Sequence, residues 1–431
     1  MMKSVSYREL GGRVAAPASK SSMQRATACA LLAPGESILR SPSRSKDCMA
    51  ALGVARALGA SVVDRGDSFA IRGADALGGS LDRSGRSSIS CGESGLCMRM
   101  FSPIAALLSS ETELRAEGTL RKRPVDMIRS PLAELGAECA TSGGLPPVRI
   151  RGPLRGGRAR VDGRESSQLL TGLLIALPMA EADTVLEVEG LASRGYVELT
   201  LDTMRAFGVK AERDEAFSRF AISGGQRYRR ADFRVEGDWS GAAFLLVAGA
   251  LAARSGKLVV ENLDSCSSQP DRAIVEALRA AGAALELGEN RVSVGRDRLE
   301  AFEFDLSDCP DLFPPLVALA AACVGETHLH GARRLRAKES DRGSALSEEF
   351  AALGAKAVVE GDLMRVSGVG FSNGGGLAGG RVDAREDHRI AMAAAVASLY
   401  CDAPVEISGA ECVAKSWPTF FEDMASVARS A

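Results

Sequence analysis

The sequence has few aromatic residues, no strong excess of charge of either sign and no long apolar run. Its 431 residues are 5% aromatic, and 53 basic against 55 acidic side chains give a formal charge of −2. A near-neutral chain lacks the basic field of a nucleic-acid-coating protein. Without about 18 consecutive apolar residues we exclude a membrane-spanning helix. The first ten residues also lack the apolar core of a signal peptide.

Cysteine and lysine usage narrows the interpretation further. The ten cysteines form no CxxC pair, and a chain of this length does not need disulfides for stability. We therefore expect reduced, mostly buried thiols in a cytoplasmic protein. Lysine is scarce, with 9 lysines against 44 arginines. A lysine inside a polar motif thus indicates a need for a compact ammonium, or for one that can lose its proton.

An amphipathic helix, a glycine and a short apolar strand recur along the chain. Separations of 77, 72, 74 and 72 residues relate five glycines: Gly59, Gly136, Gly208, Gly282 and Gly354. Glycine suits the left-handed position that ends a helix. About six such units fill the chain, and units of this size favour compact layered domains over a solenoid. We predict an α/β fold of two domains with three units each, divided after the polar stretch 224–230, and a last unit without the glycine signature.

A second helix candidate occurs once per unit and is rich in small apolar residues. These segments are 25–32, 98–108, 167–178, 241–253, 312–322 and 390–399. Helices with small side chains can pack closely together. We expect them to be the buried central helices of the two domains.

The segment SKSSMQR at residues 19–25 stands before one of these helices. Ser19 can cap the helix, which would place Lys20, Ser21 and Arg25 in its first turns. Cations oppose the helix dipole there unless an anion is bound. The segment is therefore either a phosphate or carboxylate site or a capped surface helix. The spacing of a Walker P-loop is absent.

Two further turns stand before predicted helices. Within residues 91–99, Leu96 replaces the last glycine of a nucleophile elbow, so that interpretation fails and an anion cradle or a plain turn remains. Asp311 lies between two prolines and is either an N-cap or a rigidly held base.

The other charge-rich motifs have plain structural explanations. The run 121–124 is typical of a solvated face, residues 166–168 of helix capping, and residues 336–342 of a salt-bridge ladder on a helix. A metal site has weak support, because the chain has three histidines. Of these, His328 and His330 would share one strand face without a third ligand nearby.

Together the motifs place cations in both halves of the chain: Lys20, Arg25, Arg123, Lys338, Arg342, Arg389 and Lys415. Arginine grips phosphate and carboxylate through two parallel hydrogen bonds, whereas lysine supplies a point charge and can transfer a proton. The set fits a pair of highly anionic small molecules bound between two domains.

The ordered motifs resemble the 5-enolpyruvylshikimate-3-phosphate synthase family, also called 3-phosphoshikimate 1-carboxyvinyltransferase. Nine motifs carry the resemblance, from about residue 12 to residue 425: SKSSMQR (19–25), GESGLCMR (92–99), KRP (122–124), DGRESSQLLTGLL (162–174), VEGDWSGAAFLL (235–246), PD (310–311), AKESDR (337–342), DHRIAMA (387–393) and AKSWPTFF (414–421). The resemblance implies two domains, each of three βαβαββ units around central helices. Residues 19–236 would mainly bind shikimate-3-phosphate. Residues 1–18 and 237–431 would carry Asp311, Lys338, Glu339 and part of the phosphoenolpyruvate site.

The resemblance also implies a reaction in which the enolpyruvyl group of phosphoenolpyruvate moves to the 5-hydroxyl of shikimate-3-phosphate. Addition precedes elimination, phosphate is released, and no metal or organic cofactor is required. The residues implied for shikimate-3-phosphate are Lys20, Ser21, Arg25, Ser166, Ser167, Gln168, Ser193, Tyr196, Asp311 and Lys338. The residues implied for phosphoenolpyruvate are Lys20, Gly95, Arg123, Gln168, Arg342, Arg389 and Lys415. Asp311 would be the base for the 5-hydroxyl, and Lys20 and Glu339 would protonate and later deprotonate the methylene carbon.

Two positions depart from the family pattern. A turn that is commonly Asn-Ala-Gly-Thr in the family is Glu-Ser-Gly-Leu at residues 93–96, and the threonine that often contacts shikimate-3-phosphate is missing. An asparagine often found four residues before Lys338 is Arg334 here. Both changes bear on substrate affinity more than on the chemistry.

Two alternatives remain beside this resemblance. The related UDP-N-acetylglucosamine enolpyruvyl transferases carry a reactive cysteine in a loop near residues 121–124, where this chain has none. A non-catalytic anion-binding protein of the same fold would need neither Asp311 nor Glu339. We therefore favour the shikimate enzyme, acting as a monomer on two small molecules with no nucleic-acid or membrane partner.

Overall fold

Strands and helices alternate along the chain in a pattern that repeats. The computed structural model describes residues 1–73, 87–254, 256–370 and 376–429, and within these ranges it contains twelve α-helices and 25 β-strands. The chain forms two compact units. We call Ala18–Val235 the continuous unit and Met1–Pro17 with Glu236–Ala431 the split unit, and each has its own apolar core.

Three short strands precede the continuous unit and belong to the split unit. They are β1 (Met2–Val5), β2 (Glu9–Leu10) and β3 (Gly12–Ala15). The strands of the continuous unit are β4 (Glu36–Arg40), β5 (Ser61–Asp64), β6 (Ser68–Arg72), β7 (Ser87–Ser90), β8 (Glu111–Arg115), β9 (Glu138–Ser142), β10 (Leu145–Arg151), β11 (Gly157–Asp162), β12 (Thr184–Glu189), β13 (Glu212–Arg213), β14 (Arg219–Ile222) and β15 (Asp232–Arg234). Its helices are α1 (Lys20–Leu32), α2 (Lys46–Ala57), α3 (Gly95–Ala105), α4 (Arg129–Glu134), α5 (Gln168–Ala176) and α6 (Arg194–Ala206).

The rest of the split unit follows the same alternation. Its strands are β16 (Leu258–Glu261), β17 (Ala284–Leu287), β18 (Arg291–Gly295), β19 (Glu303–Asp305), β20 (Val324–His330), β21 (Lys356–Glu360), β22 (Leu363–Val369), β23 (Gly380–Asp383), β24 (Val405–Ser408) and β25 (Ala428–Arg429). Its helices are α7 (Trp239–Ala252), α8 (Ile274–Ala280), α9 (Phe313–Ala322), α10 (Arg342–Ala352), α11 (His388–Ala397) and α12 (Phe420–Val427).

Five four-stranded sheets share one strand order. They are β15-β4-β6-β5, β7-β8-β10-β9, β11-β12-β14-β13, β3-β16-β18-β17 and β19-β20-β22-β21. In each, the first two strands are parallel and the last two form an antiparallel hairpin. A three-stranded sheet, β1-β24-β23, completes the set, with β1 antiparallel to β24 where the other sheets have their hairpin. The predicted α/β fold built from six repeats is confirmed.

Two strands are exchanged between repeats. Strand β3 leads directly into α1, yet it pairs with β16, where Val14 lies opposite Val260. Strand β15 leads into α7 but pairs with β4, where Phe233 lies opposite Leu39. Because each exchanged strand stays parallel to its new partner, the repeat keeps its topology while the chain passes twice between the two units.

The five repeat glycines occupy the positions that the sequence pattern predicts. They follow the helices α2, α4, α6, α8 and α10, and their φ angles are positive: Gly59 (+105°), Gly136 (+92°), Gly208 (+81°), Gly282 (+84°) and Gly354 (+92°). L-residues with a Cβ atom rarely adopt this left-handed conformation. The glycines therefore end each helix and turn the chain into the following strand.

The six predicted central helices are α1, α3, α5, α7, α9 and α11, and nearly all of their residues are buried. Helices α1 and α3 begin earlier than predicted, at Lys20 rather than 25 and at Gly95 rather than 98. The side chains of Ser19 and Ser94 accept hydrogen bonds from the backbone of the first turns and set these starting points. The polar motifs thus lie in the first turns of buried helices.

Helices α3 and α5 pack with their backbones almost in contact. A Cβ atom on Gly172 would lie 2.5 Å from the carbonyl oxygen of Met100 and 2.8 Å from its Cα atom. Only glycine fits such an approach without moving one of the helices. The small residues in these segments therefore serve helix packing, as the sequence pattern indicates.

The burial of the thiols agrees with an expectation from composition. All ten cysteines are free, and seven of them are buried, which confirms mostly buried thiols. None of the helices in the described ranges combines the length and apolarity needed to cross a bilayer.

The approach of α3 to α5 generates a stability prediction. We expect Gly172→Ala to lower the free energy of unfolding by about 1 to 3 kcal/mol, because its Cβ atom must displace backbone. Gly53→Ala in α2 is the control, since a Cβ atom there meets nothing within 4 Å. It should stabilise the protein by up to about 1 kcal/mol. Urea denaturation measures both, and equal midpoints for the two variants would contradict this packing.

Candidate active site

In the continuous unit, polar side chains link the first turns of α1 and α3. Ser19 caps α1 by accepting from the backbone N–H of Ser22 at 3.3 Å, which confirms the predicted cap. Ser94 caps α3 and donates its hydroxyl proton to Gln24 of α1 at 3.1 Å. Two helix N-termini are therefore joined, and their dipoles add positive potential at one place.

Arg99 extends this junction to α5. Its Nη1 donates to Oε1 of Gln168, the first residue of α5, at 2.7 Å, and its Nη2 donates to the carbonyl of Pro124 at 2.8 Å. The turn before α3 approaches a second guanidinium, since a Cβ atom on Gly95 would lie 2.8 Å from Nη1 of Arg123. Residues predicted from three separate motifs thus meet: Gly95, Arg123 and Gln168.

Lys20 and Arg25 both stand on α1 but have different surroundings. Nζ of Lys20 lies 3.0 Å from Oδ2 of Asp47, and the lysine side chain keeps 16% of its surface exposed. Arg25 is buried and donates to the hydroxyls of Thr200 and Thr171 at 2.9 and 3.3 Å. Lys20 is therefore the more accessible of these two cations.

The other residues predicted for this unit lie close to Arg25 or at helix starts. Arg25 donates to the carbonyls of Ser21 and Tyr196 at 2.8 and 3.1 Å, and its guanidinium lies 5.7 Å from the centre of the Tyr196 ring. Ser193 precedes α6 in a left-handed conformation with φ +60°, which is uncommon outside glycine and a frequent feature of functional sites.

The two serines before α5 differ in whether their side chains cap the helix, and the sequence did not predict this difference. Ser167 holds the N-cap position but makes no side-chain cap hydrogen bond. Ser166 instead accepts from the backbone N–H of Gln168 at 3.2 Å. The hydroxyl of Ser167 thus takes no part in capping α5.

This group of side chains carries several positive charges. It contains the cations Lys20, Arg25, Arg99 and Arg123, and the carboxylate of Asp47 pairs with one of them. Three helix N-termini add to the positive potential. Such a site suits an anion, and because nearly all residues of α1 are buried, the interpretation as a surface helix is wrong. We name this group the cationic cluster.

In the split unit, a second set of predicted residues forms one network around Asp311. The 3₁₀ turn Pro310–Leu312 presents this carboxylate just before α9. Oδ1 accepts from Lys338 at 3.3 Å and from Arg342 at 2.9 Å, and Oδ2 accepts from Arg389 at 3.2 Å. The carboxylate remains about one-fifth exposed. The N-cap positions are Cys309 for this 3₁₀ turn and Leu312 for α9, so the interpretation of Asp311 as an N-cap is wrong.

Arg342 lies at the centre of this network and is fully buried. It starts α10 and donates from Nε to Asp387 at 2.9 Å and from Nη2 to Glu339 at 2.7 Å, besides its contact with Asp311. The predicted salt-bridge ladder on a helix surface is therefore wrong, because only the Glu339–Arg342 pair follows that pattern and Arg342 has no exposed surface. We name the set Asp311, Lys338, Glu339, Arg342, Asp387 and Arg389 the balanced cluster.

Opposing effects set the pKa values of two of its members. Burial alone would raise the pKa of Asp311, but Arg389, Lys338 and Arg342 outweigh it and hold that pKa well below its usual range. Burial lowers the pKa of Lys338 to about 8 against the pull of Asp311, and the positive charge of Arg334 acts in the same direction as burial. Arg334 itself donates to the carbonyl of Ser307.

Arg389 and Lys415 complete the predicted set. Arg389 is held in the first turn of α11 by the N-cap Asp387 and donates to both the side chain and the carbonyl of Asp311. Lys415 ends the 3₁₀ turn Ala410–Lys415, which packs against α11, and its side chain is buried.

The histidines belong to local pairs. His328 and His330 lie on β20 and face Glu326 and Glu303 at 3.1 and 2.7 Å. Among the residues that the structure describes, His, Cys, Asp and Glu form no group of three or more that could hold a metal ion.

Sequence reasoning assigned no role to Arg99 or Asp387, although both stand inside quoted motifs. Arg99 lies between two methionines in an apolar helix, so its guanidinium needs hydrogen-bond acceptors, and Gln168 and the carbonyl of Pro124 supply them. Asp387 is fully buried and joins Arg342 to the first turn of α11. An acidic residue directly before a buried helix that carries an arginine was the available signal for Asp387.

Comparisons with known proteins agree on one family. Residues 6–424 match the family described as EPSP synthase (3-phosphoshikimate 1-carboxyvinyltransferase). A 3-phosphoshikimate 1-carboxyvinyltransferase from Clostridium kluyveri is 37% identical over 98% of this chain and 96% of its own length. Another from Aeropyrum pernix is 40% identical over 96% of this chain and 92% of its own length. An EPSP synthase structure from Acinetobacter baumannii has a TM-score of 0.82 and 26% identity, covering 99% of this chain and 98% of that one.

The buried pair of Arg342 and Asp387 generates a prediction. We expect Asp387→Asn to lower the free energy of unfolding by about 3 to 5 kcal/mol, because it removes the charge that faces a fully buried guanidinium. Glu406→Gln is the control, since its pair with Arg381 is exposed at 43% and 80% and should contribute less than about 1 kcal/mol. Urea denaturation measures the free energy of unfolding of both variants. Equal small losses would show that Asp387 does not stabilise the buried guanidinium of Arg342.

Proposed function

This chain belongs to the EPSP synthase family, and we propose that the cationic and balanced clusters perform the family's reaction. In that reaction the enolpyruvyl group of phosphoenolpyruvate moves to the 5-hydroxyl of shikimate-3-phosphate, and phosphate leaves. The observation that carries the proposal is the carboxylate of Asp311, which stays partly exposed while three cations contact it. Binding alone would not require a carboxylate among cations that must hold anions.

The cationic cluster supports the binding of shikimate-3-phosphate. Its excess of positive charge and its helix N-termini suit a phosphate, and hydroxyl groups beside it suit a polyol. The residues that we propose for this substrate are Lys20, Ser21, Arg25, Ser166, Ser167, Gln168, Ser193, Tyr196, Asp311 and Lys338. Arg25 acts as the organising member here, because it donates hydrogen bonds to residues on α1, α5 and α6.

Phosphoenolpyruvate needs cations for both its carboxylate and its phosphate. The residues that we propose for it are Lys20, Gly95, Arg123, Gln168, Arg342, Arg389 and Lys415. Guanidinium groups bind both kinds of anion through paired hydrogen bonds. The close approach of Gly95 to Arg123 supports this assignment, because any side chain at position 95 would displace that guanidinium.

Asp311 is the proposed base for the 5-hydroxyl, and its surroundings regulate its basicity. With a pKa well below the usual range, the carboxylate is always ionised but binds protons weakly. An anion on Arg342 and Arg389 would offset part of the positive charge that depresses this pKa. Substrate binding therefore makes Asp311 a stronger base when a proton has to be accepted.

Addition and elimination each need one proton transfer at carbon. Lys20 is the proposed donor to the methylene carbon of phosphoenolpyruvate while the 5-oxygen bonds to the adjacent carbon. Glu339 is the proposed base that removes a proton from the resulting methyl group as the bond to phosphate breaks. Its carboxylate is fixed by Arg342 at 2.7 Å and is 12% exposed, which suits a positioned base.

The cysteines bear on the compartment in which the protein works. Ten free cysteines suit a reducing compartment, so we propose a cytoplasmic enzyme. We also propose that it acts as a monomer on its two small substrates. UDP-N-acetylglucosamine enolpyruvyl transfer stays the alternative to exclude, and an assay with both acceptors separates the two.

Asp311→Asn is expected to reduce kcat by about a hundredfold or more, because the general base is lost. The KM for shikimate-3-phosphate should change much less, since the amide retains the shape of the carboxylate. The measurement is phosphate release from phosphoenolpyruvate with shikimate-3-phosphate, with the nucleotide-sugar acceptor in parallel. A parallel loss of kcat and affinity would argue for a binding role, and turnover of the nucleotide sugar would support the alternative acceptor.

The lowered pKa of Lys338 predicts a pH dependence. The ammonium contributes positive charge to anion binding only below about pH 8, so kcat/KM for shikimate-3-phosphate should fall as the pH rises through that value. In Lys338→Arg the positive charge persists at high pH. The fall in kcat/KM should therefore shift to higher pH, even if the maximum rate is lower. A fall at the same pH in the two proteins would assign the titration to another group.

A further inference from the structure

A cavity on the continuous unit is lined by three arginines that the proposed reaction does not use. Its volume is about 380 Å³, and its lining residues are Glu113, Arg115, Ala116, Arg121, Pro146, Pro147 and Arg149. The three guanidinium groups and one carboxylate leave two positive charges in excess. We propose that this cavity, the arginine pocket, binds a small organic dianion as a second site beside the active site.

The carboxylate of Glu113 orients two of the arginines that line the pocket. Glu113 on β8 lies directly opposite Arg149 on β10. One carboxylate oxygen accepts from Nε of Arg115 at 2.7 Å, and the other accepts from Nε of Arg149 at 2.8 Å. The side chain of Glu113 is 17% exposed, whereas the two arginines are 63% and 57% exposed. A single carboxylate thus holds two accessible guanidinium groups side by side.

Donors remain for a ligand on all three arginines. Arg121 also uses its Nε, which donates to the carbonyl of Ala116 at 3.3 Å. Within the described part of the chain, Nη1 and Nη2 of Arg115, Arg121 and Arg149 make no hydrogen bond to protein. Each guanidinium is therefore anchored at one edge while its outer N–H groups face away from that anchor. This arrangement matches carboxylate or phosphate oxygens.

The remaining walls indicate that the ligand has a carbon frame. Pro146 and Pro147 are half-buried and join Ala116 in lining the pocket. These side chains offer no hydrogen-bond donor and present apolar surface. An organic dianion would pair its charges with the arginines and pack its carbon atoms on the prolines. A bare inorganic anion would leave this apolar wall unused.

The pocket is connected by a short segment to a residue of the proposed phosphoenolpyruvate site. Arg121 belongs to the 3₁₀ turn Gly118–Lys122, and Arg123 follows it, with its N–H bonded to the carbonyl of Leu120 at 3.1 Å. The same segment bonds to the turn before α3, since Glu117 N–H donates to the carbonyl of Gly92 at 2.8 Å. A ligand that holds Arg121 would therefore also affect Arg123. This coupling rests on the proposed function, whereas the binding site does not.

Calorimetric titration with phthalate, an aromatic dicarboxylate, tests the site at low ionic strength, where exposed charges are least screened. Arg149→Gln and Arg121→Gln should each weaken phthalate binding by about tenfold or more, because each loses charge-assisted hydrogen bonds. Arg151→Gln is the matched control. Arg151 lies on the same strand, pairs with Glu111 and is not part of the lining, so its loss should leave binding unchanged. Sulfate should bind more weakly than phthalate.

Several results would overturn the inference. Phthalate binding of equal strength in wild type and Arg149→Gln would exclude the arginine pocket. Binding that is lost in Arg123→Gln but kept in Arg149→Gln would place the ligand in the active site instead. Sulfate binding as tight as phthalate binding would refute an organic ligand.

The coupling has its own readout. Phthalate should change the KM for phosphoenolpyruvate in wild type but not in Arg149→Gln, and by linkage phosphoenolpyruvate should in turn change the phthalate affinity of the wild type. An unchanged KM with intact binding would overturn the coupling alone. If phthalate binds as expected and no turnover is seen in either protein, the proposed function fails and the site stands.

Discussion

The buried guanidinium of Arg342 is the constraint around which the balanced cluster is organised. Removing an ion from water costs several kcal/mol, and that cost is offset only by partners with good geometry. Three carboxylates from three different segments supply this geometry: Asp311, Glu339 and Asp387. Because the proposed base is itself one of these partners, the same interactions fix the position of the base and of an arginine that we propose for phosphoenolpyruvate. The network that offsets the buried charge is therefore also the one to which we assign the chemistry.

The two clusters differ in how their charge is compensated, and this difference matches the tasks proposed for them. Four cations stand around the first turns of α1, α3 and α5, besides Asp47, and the dipoles of these helices also favour an incoming anion there. Around Arg342, carboxylates already offset the cations, so the arriving anion changes the balance and raises the basicity of Asp311. The first arrangement suits binding and the second suits proton transfer, because an anion that shares cations with a carboxylate offsets the positive charge that depresses its pKa.

Much of the fold could be predicted from the sequence, because its signals are local and repeated. Each repeat glycine indicates a left-handed backbone conformation at one position. The small apolar residues of each central helix indicate that the helix is buried. The exchange of β3 and β15 between repeats could not be predicted in this way. A strand that leads into its own helix looks the same in sequence whether it pairs with the neighbouring strand or with one 194 or 246 residues away. Strand pairing over such distances depends on how the elements pack together. Packing of this kind produces no periodic pattern in the sequence.

The candidate site was predictable as a set of residue types but not as a set of contacts. Lys20, Asp311 and Arg389 could be selected because cations and carboxylates stand at the starts of apolar helices. The position of Asp387 before a buried helix had a local signal, but its pairing with Arg342 had none, since the two residues are 45 positions apart and either alone is consistent with an exposed helix end. Whether a charged side chain is buried depends on the helices and strands that pack over it. A buried arginine then needs a carboxylate partner, and this need arises only after the chain has folded. Charge balance in a site is thus a property of the folded chain, and the sequence records only the charges that take part in it.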